Sequence, residues 1–267
     1  MRSSPSGRPL VVAHRGASDL APEHTFAAYR TAIEDGADGL EADVRLTADG
    51  HLVCVHDRRV DRTSNGRGVL SVLELSDLEE LDFGSWKDNW DDYEEPDRDD
   101  DRRQVLTLER LLQYVVDSDR RVELAVETKH PTRYAGWVER RLVELLEKYG
   151  LADPSPDRAG LVRVMSFSEV ALRRMTRLAP AVPLVYLMDR VPLIYRNGSL
   201  PKGVGIAGPS IEVLRAHPRY VERVHAAGRQ VHVWTVDQPA DIDLATGLGV
   251  DAVITNRPGD VLKALAR

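Results

Sequence analysis

Short apolar runs rich in β-branched residues alternate along the chain with longer segments in which apolar residues recur every three or four positions. The first pattern predicts β-strands, and the second predicts amphipathic helices. The predicted strands lie at 10–16, 39–45, 122–129, 162–167, 183–188, 203–207, 230–236 and 251–256. Strands that alternate with helices are typical of a parallel sheet, and eight of them indicate a closed barrel. The predicted fold class is therefore α/β, a TIM-type (β/α)8 barrel.

Residues 46–106 do not follow this alternation. They are predicted to form a small subdomain inserted after the second strand, within a single domain that spans 1–267. The segment begins with a hairpin signal, because an Asp-Gly pair at 49–50 separates two strand-like runs. A two-residue turn at this pair would place Asp43 opposite His56.

Two carboxylates, Glu41 and Asp43, stand two positions apart on the second predicted strand. The period of two directs both side chains to one face of the sheet, which in a barrel can be the interior. Two such carboxylates repel each other and take up protons unless a cation holds them ionised. Glu127 ends the next predicted barrel strand and offers a third carboxylate, and this set of oxygen ligands suits Mg²⁺ or Ca²⁺ better than zinc. The alternative, exposed strand ends paired with arginines, stays open from the spacing alone.

Two histidines close neighbouring elements of the same region. His14 ends the first strand, on the side of the barrel where active sites lie, and His56 ends the predicted hairpin. Imidazoles titrate near neutral pH and can exchange protons with reacting oxygens. Arg15 and Lys129 add positive charge. Three carboxylates, one divalent cation and these two side chains leave a single positive charge, which a phosphodiester would neutralise.

Composition limits the class of protein. The 267 residues are 42% hydrophobic and 30% charged, which is typical of a soluble globular protein. Since neither a membrane span nor the apolar core of a secretory signal is evident, a cytoplasmic location is expected. The net charge of −7 opposes general binding to nucleic acid. The acidic stretch 91–103 is expected to be a solvated surface loop, and the single cysteine, Cys54, a buried hydrophobic residue rather than a nucleophile.

Several motifs occur together and in order. "HRGASDLAPEHTFAAYRTAIEDGADGLEADVRLTADGHLVCVHD" is followed by "DRTSNGRG", "VLTLERLL", "VETK" and "VHVWTVD". In this combination the chain resembles the glycerophosphodiester phosphodiesterases. The resemblance implies a TIM-type barrel with a small inserted subdomain, a divalent cation (Mg²⁺ or Ca²⁺), and metal-dependent hydrolysis of glycerophosphodiesters to glycerol 3-phosphate and an alcohol. By the same resemblance His14 and His56 match the catalytic histidines, Arg15 the phosphate-binding arginine, Lys129 the basic residue at the phosphate, and Glu41, Asp43 and Glu127 the metal ligands.

The chain departs from the family pattern in two places. Where the family commonly has Glu-Asn, this chain has Glu23 and His24, and His24 is expected either to face solvent at the start of a helix or to supply an extra proton donor above the first strand. Asn256 stands where the family often has an aspartate. Trp234, in the seventh predicted barrel strand, is expected to pack on a glycerol moiety or to fill the core. His232, on the same strand, is expected to be structural.

Three other functions remain open. A lysophospholipase D-type hydrolase on the same fold would need an apolar groove for an acyl chain, and no long exposed apolar stretch is evident from the sequence. Lys129 at a strand end could also form a Schiff base, which would make the protein an aldolase-like lyase. A non-catalytic barrel is less consistent with the presence of all five histidine and carboxylate candidates. The alcohol, the metal and the oligomeric state are not determined by the sequence.

Overall fold

The computed structural model describes residues 7–87 and 100–266. Its strands are β1 (Leu10–His14), β2 (Gly39–Leu46), β3 (Leu52–Cys54), β4 (Glu123–Thr128), β5 (Val162–Ser166), β6 (Leu184–Met188), β7 (Ile206–Pro209), β8 (Gln230–Val233) and β9 (Ala252–Thr255). Each of the predicted barrel strands is present, with ends that differ by a few residues.

The barrel closes through β1, which pairs in parallel with β9 on one side and with β2 on the other. From β2 the sheet continues in parallel through β4, β5, β6, β7 and β8 to β9. β3 lies antiparallel to β2 and outside this closed set. The predicted (β/α)8 barrel with an insertion after its second strand is therefore confirmed. Closure also makes the first and last strands, β1 and β9, neighbours.

Helices cover the outside of the barrel. They are α1 (Phe26–Glu34), α2 (Leu75–Glu79), α3 (Asp100–Arg103), α4 (Leu108–Val116), α5 (Trp137–Lys148), α6 (Glu169–Leu178), α7 (Ile211–Ala216), α8 (Arg219–Ala226), α9 (Pro239–Gly247) and α10 (Pro258–Leu265). Three of them have a hydroxyl side chain as N-cap: Thr25, Thr107 and Ser168 each accept a hydrogen bond from the N–H group three positions later. No helix in the described ranges is long and apolar enough to cross a bilayer.

The hairpin register differs from the expected one. Val44 pairs with Cys54, and the N–H of Val55 donates to the carbonyl of Asp43 at 3.0 Å. Val55 therefore lies across from Asp43, and the expectation that His56 does so is wrong. The register shifts because the turn is longer than the expected two residues. The hydroxyl of Thr47 accepts a hydrogen bond from the N–H of His51 at 2.9 Å and closes this longer turn.

The connection between β2 and β4 has a small apolar core of its own, formed by Val53, Val55, Val60, Leu70, Leu78, Phe83 and Val105. Cys54 is buried, as expected. Much of the acidic stretch 91–103 lies outside the described residues. Its last part forms α3, where Asp101 accepts hydrogen bonds from Arg30 and Arg110, so this part packs against the molecule instead of forming a free loop.

Candidate active site

Three carboxylates meet at the carboxyl end of the barrel. Glu41 and Asp43 lie on β2 and Glu127 lies on β4, and the register of these strands sets Asp43 level with Glu127. The residues are 1%, 1% and 7% exposed. One carboxylate oxygen from each lies within 4.8 Å of the others. The period-two spacing thus places all three side chains inside the barrel, and the alternative of exposed strand ends is wrong.

Two cationic side chains contact this acidic cluster. The Nζ atom of Lys129 lies 3.2 Å from Oδ1 of Asp43 and 2.9 Å from Oε1 of Glu127. The Nε atom of Arg15 lies 3.1 Å from Oδ2 of Asp43, and its backbone N–H donates to Oε2 of Glu41 at 3.1 Å. Positive charge therefore reaches the cluster from β1 and from the end of β4.

These cations do not keep every carboxylate ionised. Burial, with the charges of Asp43 and Glu127, raises the pKa of Glu41 well above its usual value. Burial and the charge of Asp43 raise the pKa of Glu127 to about 8. Burial acts on Asp43 in the same sense, but the His24 hydrogen bond and the charges of Lys129 and Arg15 hold its pKa well below the usual value. A buried set of oxygen donors with too little positive charge fits a divalent metal ion such as Mg²⁺ or Ca²⁺.

His24 is part of the site, although one expectation placed it in solvent. It is 5% exposed, its Nε2 lies 3.0 Å from Oδ2 of Asp43, and its Nδ1 lies 2.8 Å from the Tyr29 hydroxyl. The solvent-facing expectation is wrong because α1 begins only after Thr25. His24 precedes this cap in a left-handed conformation, with φ of 63°, and its ring turns inward.

His14 lies beside the acidic cluster with an amide partner. Its Nδ1 is 2.7 Å from Oδ1 of Asn256, across the β1–β9 junction. Burial and the charge of Arg15 lower the pKa of His14 to about 4. The imidazole of His14 is therefore neutral at neutral pH.

His56 has a carboxylate partner instead. Its Nδ1 lies 2.7 Å from Oδ1 of Asp57, and its carbonyl accepts two hydrogen bonds from the guanidinium of Arg45 on β2. Burial lowers the pKa of His56, whereas the charge of Asp43 and the hydrogen bond with Asp57 oppose this shift. The side chain is 33% exposed, so it lies at the edge of the site.

Glu23 joins the barrel to the inserted segment. It accepts hydrogen bonds from Arg15 at 3.0 Å and from Arg62 at 2.7 Å, and the Nε–H of Arg62 donates to Asp57 at 2.6 Å. Burial opposes ionisation of Glu23, but the hydrogen bond of Arg62 and the charge of Arg15 lower its pKa to about 2. An ionic chain thus runs from Arg15 to the partner of His56.

Trp234 directly follows β8 at the mouth of the barrel. Its indole N–H donates to the carbonyl of Gly208 at 2.8 Å, and its ring meets the edge of Phe167 at a centroid distance of 5.5 Å. It packs against a cluster of apolar side chains inside the barrel that includes Met165 and Val185, and it stays partly exposed. This position is compatible with both expected roles of the ring, packing on a glycerol moiety and filling the core. His232 lies lower in the barrel beside Arg163, with Nδ1 3.3 Å from a guanidinium nitrogen, away from the acidic cluster.

Sequence reasoning missed the residues that hold the two histidines. Asp57 and Arg62 support His56, and Asp237 holds Asn256 through a hydrogen bond of 2.6 Å from its side-chain amide. Asp57 follows His56 directly, so the His-Asp pair was a usable signal. No spacing rule points to the other two, because Arg62 reaches Asp57 from within an irregular segment and Asp237 lies 19 positions before Asn256.

The chain matches the model of the Glycerophosphoryl diester phosphodiesterase family over residues 14–260. It is 47% identical over 255 residues to Probable glycerophosphodiester phosphodiesterase 1 of Mycobacterium tuberculosis, a match that covers 95% of this chain and 91% of that protein. It is 33% identical over 257 residues to a glycerophosphodiester phosphodiesterase of Bacillus subtilis, covering 94% of this chain and 84% of that protein.

A solved structure agrees with these sequence matches. The phosphodiesterase of Oleispira antarctica in complex with the product sn-glycerol-3-phosphate has a TM-score of 0.82 to this chain at 25% identity, with both chains covered fully. The family match, the two relatives and the shared barrel all extend over most of the molecule. This chain therefore belongs to the glycerophosphodiester phosphodiesterase family.

Proposed function

We propose that this protein hydrolyses glycerophosphodiesters to glycerol 3-phosphate and an alcohol, with a divalent cation and with histidines as acid and base. The observation that carries the proposal is the buried cluster of Glu41, Asp43 and Glu127 with Arg15 and Lys129 in contact with it. The solved relative with bound sn-glycerol-3-phosphate supports the product.

The acidic cluster would hold the cation through its carboxylate oxygens. When bound, Mg²⁺ or Ca²⁺ would supply Lewis acidity toward the phosphoryl oxygens and neutralise part of the charge at phosphorus. Arg15 and Lys129 would bind the phosphate, since both are cationic and lie at the same end of the barrel. Lys129 touches both β2 and β4 carboxylates and would orient them as well.

The partners of the histidines support different roles. His14 is a neutral imidazole whose Nδ1 faces the amide of Asn256, so it can take up a proton and suits the base. His56 faces the carboxylate of Asp57, which favours an imidazolium against the effect of burial and suits the acid that protonates the leaving alcohol. Both roles require a ring nitrogen that faces the substrate. In each histidine Nδ1 is hydrogen-bonded to its partner, Asn256 or Asp57, so Nε2 is the nitrogen that would exchange a proton with the substrate.

The nucleophile that we favour is the 2-hydroxyl of the glycerol moiety. His14 would take its proton as the oxygen attacks phosphorus, while the bond to the alcohol breaks and His56 protonates that alcohol. Water would then open the cyclic phosphate to give glycerol 3-phosphate. Attack within the substrate gains from proximity, and Trp234 packed on the glycerol carbons would hold the hydroxyl in place. Direct attack by water is the alternative route.

A 2-deoxy substrate separates the two routes. If the cyclic route operates, this substrate binds but turns over at least ~10²-fold more slowly, and synthetic cyclic glycerol phosphate is hydrolysed. Cleavage of the deoxy substrate at the normal rate would make water the nucleophile.

A lysophospholipase D-type activity is the second candidate. Leu193 and Ile194 are 74% and 70% exposed in the connection that leaves the carboxyl end of β6, and Phe167 is 44% exposed after β5. These side chains could contact an acyl chain. A Schiff-base lyase is not supported, because Asp43 and Glu127 raise the pKa of Lys129 against the effect of burial, and a protonated amine is not nucleophilic.

A substrate panel tests the proposal and separates these candidates. Release of glycerol 3-phosphate should be followed from several glycerophosphodiesters and from lysophospholipids, with Mg²⁺, Ca²⁺ and Mn²⁺ in turn. We expect glycerophosphodiesters to be cleaved best and a chelator to stop the reaction. Trapping of a carbonyl substrate by borohydride, with activity unaffected by the chelator, would instead favour the lyase.

Domain organisation and cellular location are two further parts of the proposal. We propose that residues 1–267 form one domain in which 46–106 is inserted, and the separate apolar core of the inserted segment supports this division. A cytoplasmic location is the second, and fractionation of the native host would test it.

A further inference from the structure

We infer that Asp237 and Asn256 are positioning residues that fix the tautomer of His14, so that Nδ1 carries the proton and Nε2 is free to accept one. The inference deepens the proposed function and rests on it for the role of His14 as base. It concerns the path from β9 back to β1, where the first and last barrel strands meet.

The first step is the orientation of Asn256. Three groups converge on the Asp237 carboxylate: the Thr255 hydroxyl at 2.9 Å, the Asn256 backbone N–H at 2.8 Å and the Asn256 side-chain Nδ2 at 2.6 Å. An ionised carboxylate only accepts hydrogen bonds, so the amide nitrogen of Asn256 must face it. The alternative amide orientation would set a carbonyl oxygen against the carboxylate and leave two acceptors in contact.

The second step follows from the first. With its nitrogen on Asp237, Asn256 presents Oδ1 to Nδ1 of His14 at 2.7 Å. The Ser18 hydroxyl lies 2.8 Å from this oxygen and 2.8 Å from the carbonyl of His14, so its single hydrogen does not decide the amide orientation, which rests on Asp237. An amide oxygen cannot donate, so the hydrogen must lie on Nδ1 of His14. A neutral imidazole with its proton on Nδ1 has its lone pair on Nε2.

This arrangement is suited to a base. When Nε2 takes the proton of the attacking hydroxyl, the Nδ1–H group of His14 stays hydrogen-bonded to Oδ1 of Asn256, and no proton passes to the amide. The amide dipole, held in line by Asp237, stabilises the charge that develops on the ring. Arg15, Asp43 and His24 act on His14 through their charges, whereas Asn256 acts through a hydrogen bond to one ring nitrogen and so selects the nitrogen that carries the proton.

The experiment compares Asp237→Asn with Asp251→Asn. Asp251 is the matched control, because its carboxylate also accepts a hydrogen bond from a backbone N–H, that of Val231 at 2.8 Å. Asp251 lies just before the start of β9, whereas Asn256 and its partner Asp237 lie at the other end of this strand. In the first variant the new side-chain amide faces the nitrogen of Asn256 and favours a flipped amide, which would present N–H to His14. The ring should then shift toward the tautomer with its proton on Nε2.

The tautomer is read by NMR of protein labelled with ¹⁵N-histidine, at neutral pH and without metal or substrate. His14→Gln assigns the signal. We expect the Nδ1–H form in the parent and the control, and a shift toward the Nε2–H form in Asp237→Asn. Asn256→Ala, which removes the acceptor, should also lower the Nδ1–H fraction. An unchanged Nδ1–H form in both variants, or an Nε2–H form in the parent, would overturn the inference.

Kinetics provide a second readout that a merely structural role would not give. Asp237→Asn should lower kcat roughly 10- to 100-fold with little change in KM, as expected when a group behind a catalytic side chain is altered. The control should keep parental values. A parental kcat in Asp237→Asn would contradict the inference. Failure of the parent to cleave any glycerophosphodiester would refute the proposed function, while the NMR measurement would still decide the tautomer.

Discussion

Asp43 is the residue on which most contacts of the site converge. It receives hydrogen bonds or ion pairs from His24, Arg15 and Lys129, while Glu41 and Glu127 have fewer cationic partners. Because these two glutamates have fewer cationic partners, burial raises their pKa values, whereas Asp43 stays ionised. The acidic cluster holds protons at neutral pH that a metal ion would displace.

Cation binding should accordingly release protons. The pKa of Glu127 is raised to about 8, so below this pH a proton competes with the cation, and the affinity for Mg²⁺ or Ca²⁺ should fall as pH falls from 8 to 6. Calorimetry in buffers with different ionisation enthalpies measures the released protons. The Glu127→Gln variant should release fewer protons and bind the cation more weakly. Affinity that is independent of pH in the parent would contradict the protonated state of the cluster.

His24 should matter for the metal ion because it holds Asp43 in place. His24→Leu removes the donor to a buried carboxylate, and we expect cation affinity to fall roughly 10- to 100-fold. His24→Asn should lose less affinity, since asparagine tolerates the left-handed backbone and keeps a donor. The measurement is calorimetric titration with Ca²⁺. Equal affinity of the leucine variant and the parent would show that His24 does not position Asp43.

At the scale of elements, the site depends on a contact between the barrel and the connection from β2 to β4. The apolar pattern predicted the barrel strands, because alternating burial leaves a strong signal in the sequence. It did not predict the hairpin register, which Thr47 sets through a side-chain hydrogen bond. It also could not predict the pairing of Glu23 with Arg62, since these residues are 39 positions apart and ion pairs between loops leave no periodic pattern.

Arg62 should support the acid role of His56. Arg62→Ala removes the partner of Asp57 and Glu23, so His56 should be held less well and turnover of a choline or ethanolamine ester should fall about tenfold. A nitrophenyl ester needs little protonation of its leaving group and should be less affected. Arg59→Ala, which breaks an exposed pair with Asp61 in the same segment, is the control. An equal loss of turnover on both esters would show that Arg62 does not support the acid role of His56.

At the scale of the whole molecule, closure of the barrel brings His14 together with Asn256, 242 positions away. The sequence indicated both the closed barrel and the three carboxylates, because each depends on a local period. The contacts of His24 and Asp237 depend on how loops fold over the barrel mouth, and no local pattern describes this. The resemblance to the family supplied the roles of the remaining site residues.

Buried titratable groups should also shape the stability of the metal-free protein. His14, His24, His56 and His232 have lowered pKa values, with His14 at about 4, so the folded state binds fewer protons up to about pH 6.5 and the free energy of unfolding rises with pH. The raised pKa values of Glu41 and of Glu127, the latter about 8, act in the opposite sense and dominate above pH 6.5: the folded state then binds more protons, and stability falls as pH rises.

Urea unfolding in a chelator, between pH 4 and 9, measures this profile. We expect a maximum near neutral pH, a flatter alkaline side in Glu127→Gln, and a gain from Ca²⁺ that grows with pH. Glu147→Gln, an exposed change on α5, should leave the profile unaltered. A metal-free protein that becomes more stable from pH 7 to 9 would contradict the assigned protonation of the cluster.

The central claim is that the buried acidic cluster drives hydrolysis of glycerophosphodiesters, and ³¹P NMR of one reaction tests it most directly. Glycerophosphoethanolamine with Mg²⁺ or Ca²⁺ should give a growing glycerol 3-phosphate signal with the parent protein. The signal should be nearly absent with Glu41→Ala, Asp43→Ala or Glu127→Ala, or with a chelator. Glycerol 3-phosphate formed at the parental rate by these three variants would contradict the account.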